Sequence, residues 1–366
     1  MSNLFSYGIE ITALDKLGDQ SIRTFNEDQY VSFRNDDLNI SFGAYASILD
    51  NLSFGITYLP ELNFGVDWPY TRLNLKENSS IVTAYDLKNN LVINSISPII
   101  SYKLEEISIG ISANIYQTKI QYSFPKTNLM WKDDIGLPGY GLDYNFDGWS
   151  LGLTFGLLYN LDNDLSFALA VQTSSKTEIK GKLKSSFFNE VLNLDKSIDV
   201  NSVWENPWKI SIGGLYKLSS KFALNIDISI SLFSKSNEIL SHKIDNEIIK
   251  NELSAPDTIV GLDGLGLNTK FKDSANLGIG LEYASSNSII YRIGYLFNQS
   301  LQEQAMFSHL FPNLNQHWFS AGIGISQSKF MFDFTVAYAI GSSIKVEKNE
   351  AVFSGLYKSQ LFVPSL

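Results

Sequence analysis

Lys329–Ile340 reads KFMFDFTVAYAI. Taken with period two, one set is Phe330, Phe332, Phe334, Val336 and Tyr338, and the other is Met331, Asp333, Thr335, Ala337 and Ala339. Successive side chains of a β-strand point to opposite faces, so one face is large and apolar while the other is small and carries a carboxylate. A soluble sandwich would bury the large face against a second sheet; a membrane barrel would turn it to lipid. One strand does not choose between them, and the decision comes from repetition.

The pattern recurs along the whole chain. Leu4–Leu14 alternates first, followed by a polar loop around Asp15–Asn35. Leu38–Ile48 and Leu52–Leu59 flank Leu49-Asp50-Asn51, a turn-type cluster. Pro60–Asn90 is mixed, with Pro60, Gly65 and Pro69 against a regular strand. Leu91–Leu104 and Ile107–Phe124 join at Glu105-Glu106, and Pro125–Gly148 reads as a loop. Trp149–Leu161 and Leu165–Leu183 join across Asp162-Asn163-Asp164, with Ser185–Asn206 as the next loop. Trp208–Leu218 and Phe222–Phe233 join at Ser219-Ser220, and Lys235–Lys270 is the longest stretch without strand pattern. Phe271–Ala284 with Ile289–Phe297, then Trp318–Ser326 with Lys329–Ile340, and last Leu356–Leu366 complete the set.

That makes about fourteen strands, and tight turns alternate with long loops throughout. Outer-membrane barrels have this one-sided asymmetry, with strands of about ten residues or more. Trp149, Tyr159, Trp208, Tyr216, Tyr283, Tyr295 and Trp318 lie near strand ends, where interfacial girdles belong. The expected fold class is therefore all-β: one transmembrane antiparallel barrel of about 14 strands over residues 1–366, with short periplasmic turns and long extracellular loops.

Composition narrows the function classes. A net charge of −10 argues against nucleic acid as a partner. There is no cysteine, which removes thiol chemistry and suits an oxidising compartment. Mean hydropathy is −0.02 with no long apolar run, so no transmembrane helix is expected. MSNLFSYGIEI has neither the charged nor the apolar region of a signal peptide. The histidines are His242, His309 and His317, without ligand spacing or a nucleophile–base constellation. Asp133, Asp134, Asp257 and Asp263 lack calcium-loop spacing. No enzymatic activity, metal or cofactor is expected.

Alternation places Asp227, Glu282, Arg292 and Asp333 on inward faces. Charges in a lumen usually complete ionic networks; the functional alternative is that Arg292 attracts a carboxylate. Two loops are unusually apolar. Phe187, Phe188, Val191 and Leu192 form two pairs one helical turn apart, and Met130 with Trp131 stand in the preceding loop. These residues either cap one another or form an apolar groove for a hydrophobic ligand, worth about 0.8 kcal/mol per buried CH₂.

Several phrases resemble the FadL-type long-chain fatty acid transporters of Gram-negative outer membranes. They are FGVDWPYTR (Phe64–Arg72), INSISPIISYKL (Ile93–Leu104), DLSFALAVQTSSKTEIKGKL (Asp164–Leu183) and ENPWKISIGGLYKLSSKFALNIDIS (Glu205–Ser229). FKDSANLGIGLEY, YRIGYLFNQS and HWFSAGIGIS extend the likeness across nearly the whole chain. The resemblance implies a monomeric fourteen-stranded barrel, surrounded by outer-membrane lipid, that captures a long-chain fatty acid or other hydrophobic small molecule in an extracellular groove. The substrate then leaves sideways beside a kinked third strand, here near Leu59, Pro60 and Gly65.

The family's N-terminal plug should precede the first strand, but only Met1–Asn3 do, and Pro364-Ser365-Leu366 replaces the usual aromatic end. A missing plug and signal, a truncated last strand, an open lumen and an incomplete seam between Leu4–Leu14 and Leu356–Leu366 are therefore expected. Passive uptake of hydrophobic compounds is the leading function. The alternatives are a structural or adhesive barrel whose loops bind a partner, and a hydrophilic-solute porin, for which sixteen to eighteen strands are usual.

Overall fold

The computed structural model describes residues 2–12, 22–24, 30–75, 81–127, 140–190, 193–235, 241–244, 271–286, 288–302, 313–327, 330–346 and 355–365. Its strands are β1 (Ser2–Thr12), β2 (Ile22–Thr24), β3 (Tyr30–Ile40), β4 (Phe42–Leu49), β5 (Leu52–Leu75), β6 (Ile81–Leu104) and β7 (Ile107–Thr127). Next come β8 (Tyr140–Asn160), β9 (Leu165–Gln172), β10 (Ser175–Lys184), helix α1 (Ser186–Glu190), β11 (Ser197–Asn206), β12 (Trp208–Lys217) and β13 (Phe222–Leu232). The rest are β14 (Ser241–Ile244), β15 (Ser274–Ser286), β16 (Ile289–Asn298), β17 (Gln316–Gln327), β18 (Phe330–Gly341), β19 (Ile344–Val346) and β20 (Gly355–Ser365).

All twenty lie in one sheet. Five pairs of segments are collinear: β3 with β4, β9 with β10, β11 with β12, β13 with β14, and β18 with β19. The register makes each pair a single stave, which leaves fourteen staves plus the short β2. Every ladder among the described residues is antiparallel, and β1 closes the ring by pairing with β20 on one side and β3 on the other. The seam between the first and last strands is therefore hydrogen-bonded from Asn3↔Ser365 to Thr12↔Leu356. The expected incomplete seam is corrected: β1 and β20 are both paired strands of eleven residues.

The outward face is apolar wherever alternation predicted it. Ile226, Ile228 and Ile230 of β13, and Phe332, Phe334, Val336, Tyr338 and Ile340 of β18, all stand exposed on the outside. Tyrosines and phenylalanines ring the turn end, where Phe222 stacks on Tyr283 at 4.8 Å and Tyr283 on Tyr291 at 6.5 Å. Trp149 and Tyr159 bracket the band on β8. About 33 Å of strand separates them, and a tilt near 40° reduces this to about 25 Å, the height of a barrel's apolar band. Trp318 departs from expectation: it shares the inner face with Gly322 and Gly324 and donates to Gln316 at 3.2 Å.

Turns follow local chemistry. The Asp162 carboxylate accepts from the backbone N–H groups of Asp164 and Leu165, both at 2.7 Å, making an Asx-type turn. Ser219 plays the same part with Lys221 and Phe222 at 3.2 Å. Between Leu104 and Ile107, Glu105 takes φ 45°, the left-handed geometry a two-residue hairpin needs.

The staves are much longer than a membrane requires. β5 and β6 each run 24 residues, and β7 and β8 each run 21. Most of Pro60–Asn90, read above as irregular, is the upper part of one hairpin; much of Ser185–Asn206 is likewise the strand β11. Tyr30–Asn35 also belongs to a strand, β3. Above the apolar band the sign of the alternation reverses. In β10, Lys176, Glu178, Lys180, Lys182 and Lys184 face out, while Ser175, Thr177, Ile179 and Leu183 are buried. Water-facing walls need polar outer residues, so a reading tuned to large-outside, small-inside passes over them.

Candidate functional site

The lumen has two chemically different halves. At the loop end, Leu91 and Ile93 of β6, Tyr116 and Ile120 of β7, and Phe146 of β8 are buried on the inner wall. Ile179, Leu183, Val200 and Trp204 of the β10–β11 hairpin are buried with them. The hairpin comes in close to β8, since a Cβ at Gly148 would collide with the Glu178 carbonyl. Two breaks allow this approach: Thr173-Ser174 between β9 and β10, and Pro207, which lacks an N–H, between β11 and β12.

A polar seam closes this packing from below. Trp204 Nε1 donates to Asn206 at 2.9 Å, and Asn206 donates to Ser175 at 3.0 Å. Thr177 donates to Ser150 at 2.7 Å, and Asn114 donates to Thr154 at 2.7 Å. Toward the turns the lumen opens into a cavity of about 640 Å³, walled by small residues such as Ser108, Gly110, Ala168 and Gly278.

Arg292 sits on this inner surface between two carboxylates. Its Nε lies 3.6 Å from Glu282 on β15, and its terminal nitrogen pairs with Asp333 on β18. Gly324 makes room: a Cβ there would meet Arg292 at 2.8 Å and Asp333 at 2.6 Å. The cluster carries a formal charge of −1, so the geometry favours the ionic network over carboxylate capture by Arg292.

The apolar loop residues divide. Phe188, in α1, is fully buried, and its carbonyl accepts from Leu194 N at 2.8 Å. Asn193 at φ 54° provides the left-handed residue after the short helix. Phe188 thus anchors this loop to the inner core. Phe187 lies in the same helix. Val191, Leu192, Met130 and Trp131, with most of Lys235–Lys270, lie outside the described residues.

At the third stave, β5 pairs with β6 through Pro60, but with a bulge at Glu61: Pro60 opposes Asn94 and Leu62 opposes Ile93. The extra residue shifts the alternation, so Leu59 and Leu62 both share faces with inner-wall partners, Ser95 and Ile93. Ser95 donates to Glu61 at 2.7 Å and holds the bulge. On its other edge, β5 leaves the β4 ladder after Tyr58↔Phe42 and regains a partner only at Leu73↔Thr24 of β2. Among the described residues, no ladder joins β3 to β5 in between. Gly65 falls within this stretch.

Sequence reasoning did not single out Lys209, a lumen cation of β12 that lines the cavity. Ile210 and Ile212 carried the signal, because their outward alternation puts Lys209 inside.

Comparison with known proteins fits this architecture. The Salmonella typhi long-chain fatty acid transport protein is 22% identical over 60% of this chain and 49% of its own length. Its Escherichia coli K12 counterpart is also 22% identical, over 60% of this chain and 48% of its own. The chain spans about half the length of these relatives. Among solved structures, a Pseudomonas aeruginosa FadL homologue superposes with a TM-score of 0.68 at 13% identity, covering 99% of this chain and 88% of that one. The Pseudomonas putida toluene transporter TodX gives 0.61 at 13%, again over 99% and 88%. Residues 42–361 match the family model for the outer membrane protein transport protein (OMPP1/FadL/TodX). A closed barrel with this match across most of its length belongs to that family of Gram-negative outer-membrane proteins.

Proposed function

We propose that this barrel admits long-chain fatty acids or similar hydrophobic compounds passively and releases them sideways, through the unladdered stretch between β3 and β5. The carrying observation is that stretch itself. Unpaired backbone is costly where it meets hydrocarbon, and the ladder on one side of β5 stops at Tyr58↔Phe42, at the top of the apolar band, so the edge beside Leu59 and Leu62 is where a lateral opening would form. Leu59 and Leu62 are 41% and 37% exposed beside it, which gives an apolar solute a surface to follow.

The protein acts as a monomer whose apolar outer band meets lipid. Capture begins at the loops carrying Met130, Trp131, Phe187, Val191 and Leu192, while Phe188 fixes the second loop in place.

Growth tests the reading. Cells of a Gram-negative host that carry the gene should grow on oleate, at limiting concentration, faster than cells without it. Toluene-dependent growth measures whether an uncharged hydrocarbon is carried as well. Equal growth with and without the gene on both carbon sources, with the barrel folded in the outer membrane, would refute the proposal.

A further inference from the structure

The lipid-facing wall carries a hollow around Gly214. On β12 the outward series runs Trp208, Ile210, Ile212, Gly214 and Tyr216, and the glycine interrupts a row of large, exposed side chains. Its partners in register are Phe167 of β9 and Ile226 of β13, both outward and exposed. A Cβ at Gly214 would meet nothing nearer than Phe167 at 3.8 Å, so no close contact requires a glycine here. The missing side chain leaves a cavity of about 290 Å³, walled by Phe167, Ile212, Tyr216, Ile226 and Ile228. Facing hydrocarbon, such a hollow takes an acyl chain, because an empty one forfeits contacts along its lining.

The turns just below supply a place for a head group. Gly214 stands three residues, about 10 Å of strand, from Lys217. The Lys217 backbone N–H donates to the Asp164 carbonyl at 2.8 Å, which sets these two residues side by side. Both are exposed, as is Lys221 in the turn before β13. Lys217 Nζ donates to the Asn163 carbonyl at 2.6 Å and keeps two further protons to give. Asp162 is engaged in its own turn by the N–H groups of Asp164 and Leu165. The Lys221 ammonium and the Asp164 carboxylate have no ion-pair partner among the described residues. Lysines and a free carboxylate at one end of an apolar groove match a zwitterionic head, its phosphate toward the lysines and its ammonium toward Asp164.

We infer that this groove holds one glycerophospholipid of the periplasmic leaflet, with a phosphate and a primary ammonium in its head. The lipid is a fixed part of the wall and not a passing neighbour.

Native mass spectrometry of the full chain, titrated in mild detergent with palmitoyl-oleoyl phosphatidylethanolamine, counts the lipids retained. The native barrel should keep one. Gly214→Leu fills the hollow and should weaken retention roughly tenfold, the worth of about two buried methylenes. Ala321→Leu, at an outward site of β17 between Ile293 and Val336, should change nothing. Lys217→Gln combined with Lys221→Gln lies in exposed turns and tests the head alone. It should weaken phosphatidylethanolamine roughly twentyfold, about fivefold for each lysine, and leave dioleoylglycerol, which lacks the charged head, unchanged. Unchanged retention in Gly214→Leu or in the double lysine variant would overturn the inference, as would an equal loss in Ala321→Leu. Displacement of the lipid by equimolar oleate would also overturn it, marking the hollow as a fatty acid site instead.

Discussion

Arginine placed at Ile228 or Phe334 should destabilise the folded barrel by about 2–4 kcal/mol, the cost of a cation near the midplane of a barrel's lipid face. Both side chains point outward and are nearly half exposed, at 47% and 48%, in the middle of otherwise apolar outer faces. Ser229, the next residue, stands on the opposite face of β13 from Ile228, with Ser231 and Asp227. Arginine there gains water and the nearby Asp227 rather than hydrocarbon, and should cost far less. Reversible unfolding in lipid bilayers by guanidinium gives the comparison directly. Equal losses at Ile228 and Ser229 would mean that the two faces of β13 are misassigned.

The second large effect belongs to the loop-end core. Phe146→Ala should cost about 3–5 kcal/mol, the usual range for emptying a fully buried aromatic site. Phe146 has no exposed surface, its ring centroid is 5.8 Å from that of Tyr144, and the β10–β11 hairpin packs beside it at Gly181. The loss should be local. Backbone amides of β10 and β11 should exchange faster, while those of the apolar band, such as β13 and β18, keep their protection. Uniform loosening of all staves would show that the inner packing and the band unfold as one unit.

Much of this architecture can be read from residues alone, and the places where reading fails share a cause. Phe222–Leu232 and Phe330–Gly341 were legible because lipid demands large residues on one face and the lumen tolerates small ones on the other. Ser175–Lys184 and Ser197–Asn206 were harder, since outside the band water sits where lipid would be and the sign of the pattern inverts. Pro60 looked like a strand breaker; a single bulge at Glu61 absorbs it and the pairing with β6 continues.

The site shows the same division between local and distant information. Alternation placed Arg292 inside, but its pairing with Glu282 and Asp333 depends on three different strands meeting in register. Phe188 is apolar and at helical spacing in the sequence, yet its burial depends on α1 packing back against the distant strand β8. Lys209 carries no local mark of its own in the sequence; only the outward alternation of Trp208, Ile210 and Ile212 puts it on the inner face.

Closing the stretch between β3 and β5 tests the lateral route most directly. The chain has no cysteine, so a pair introduced at Asn39 and Glu61, joined by a reducible cross-linker, is the sole thiol bridge in the molecule. Oleate uptake by cells carrying the linked barrel should fall to the level of cells without the gene, and reduction should restore it, with the barrel folded throughout. Uptake that continues unchanged through a fully cross-linked barrel would contradict the account.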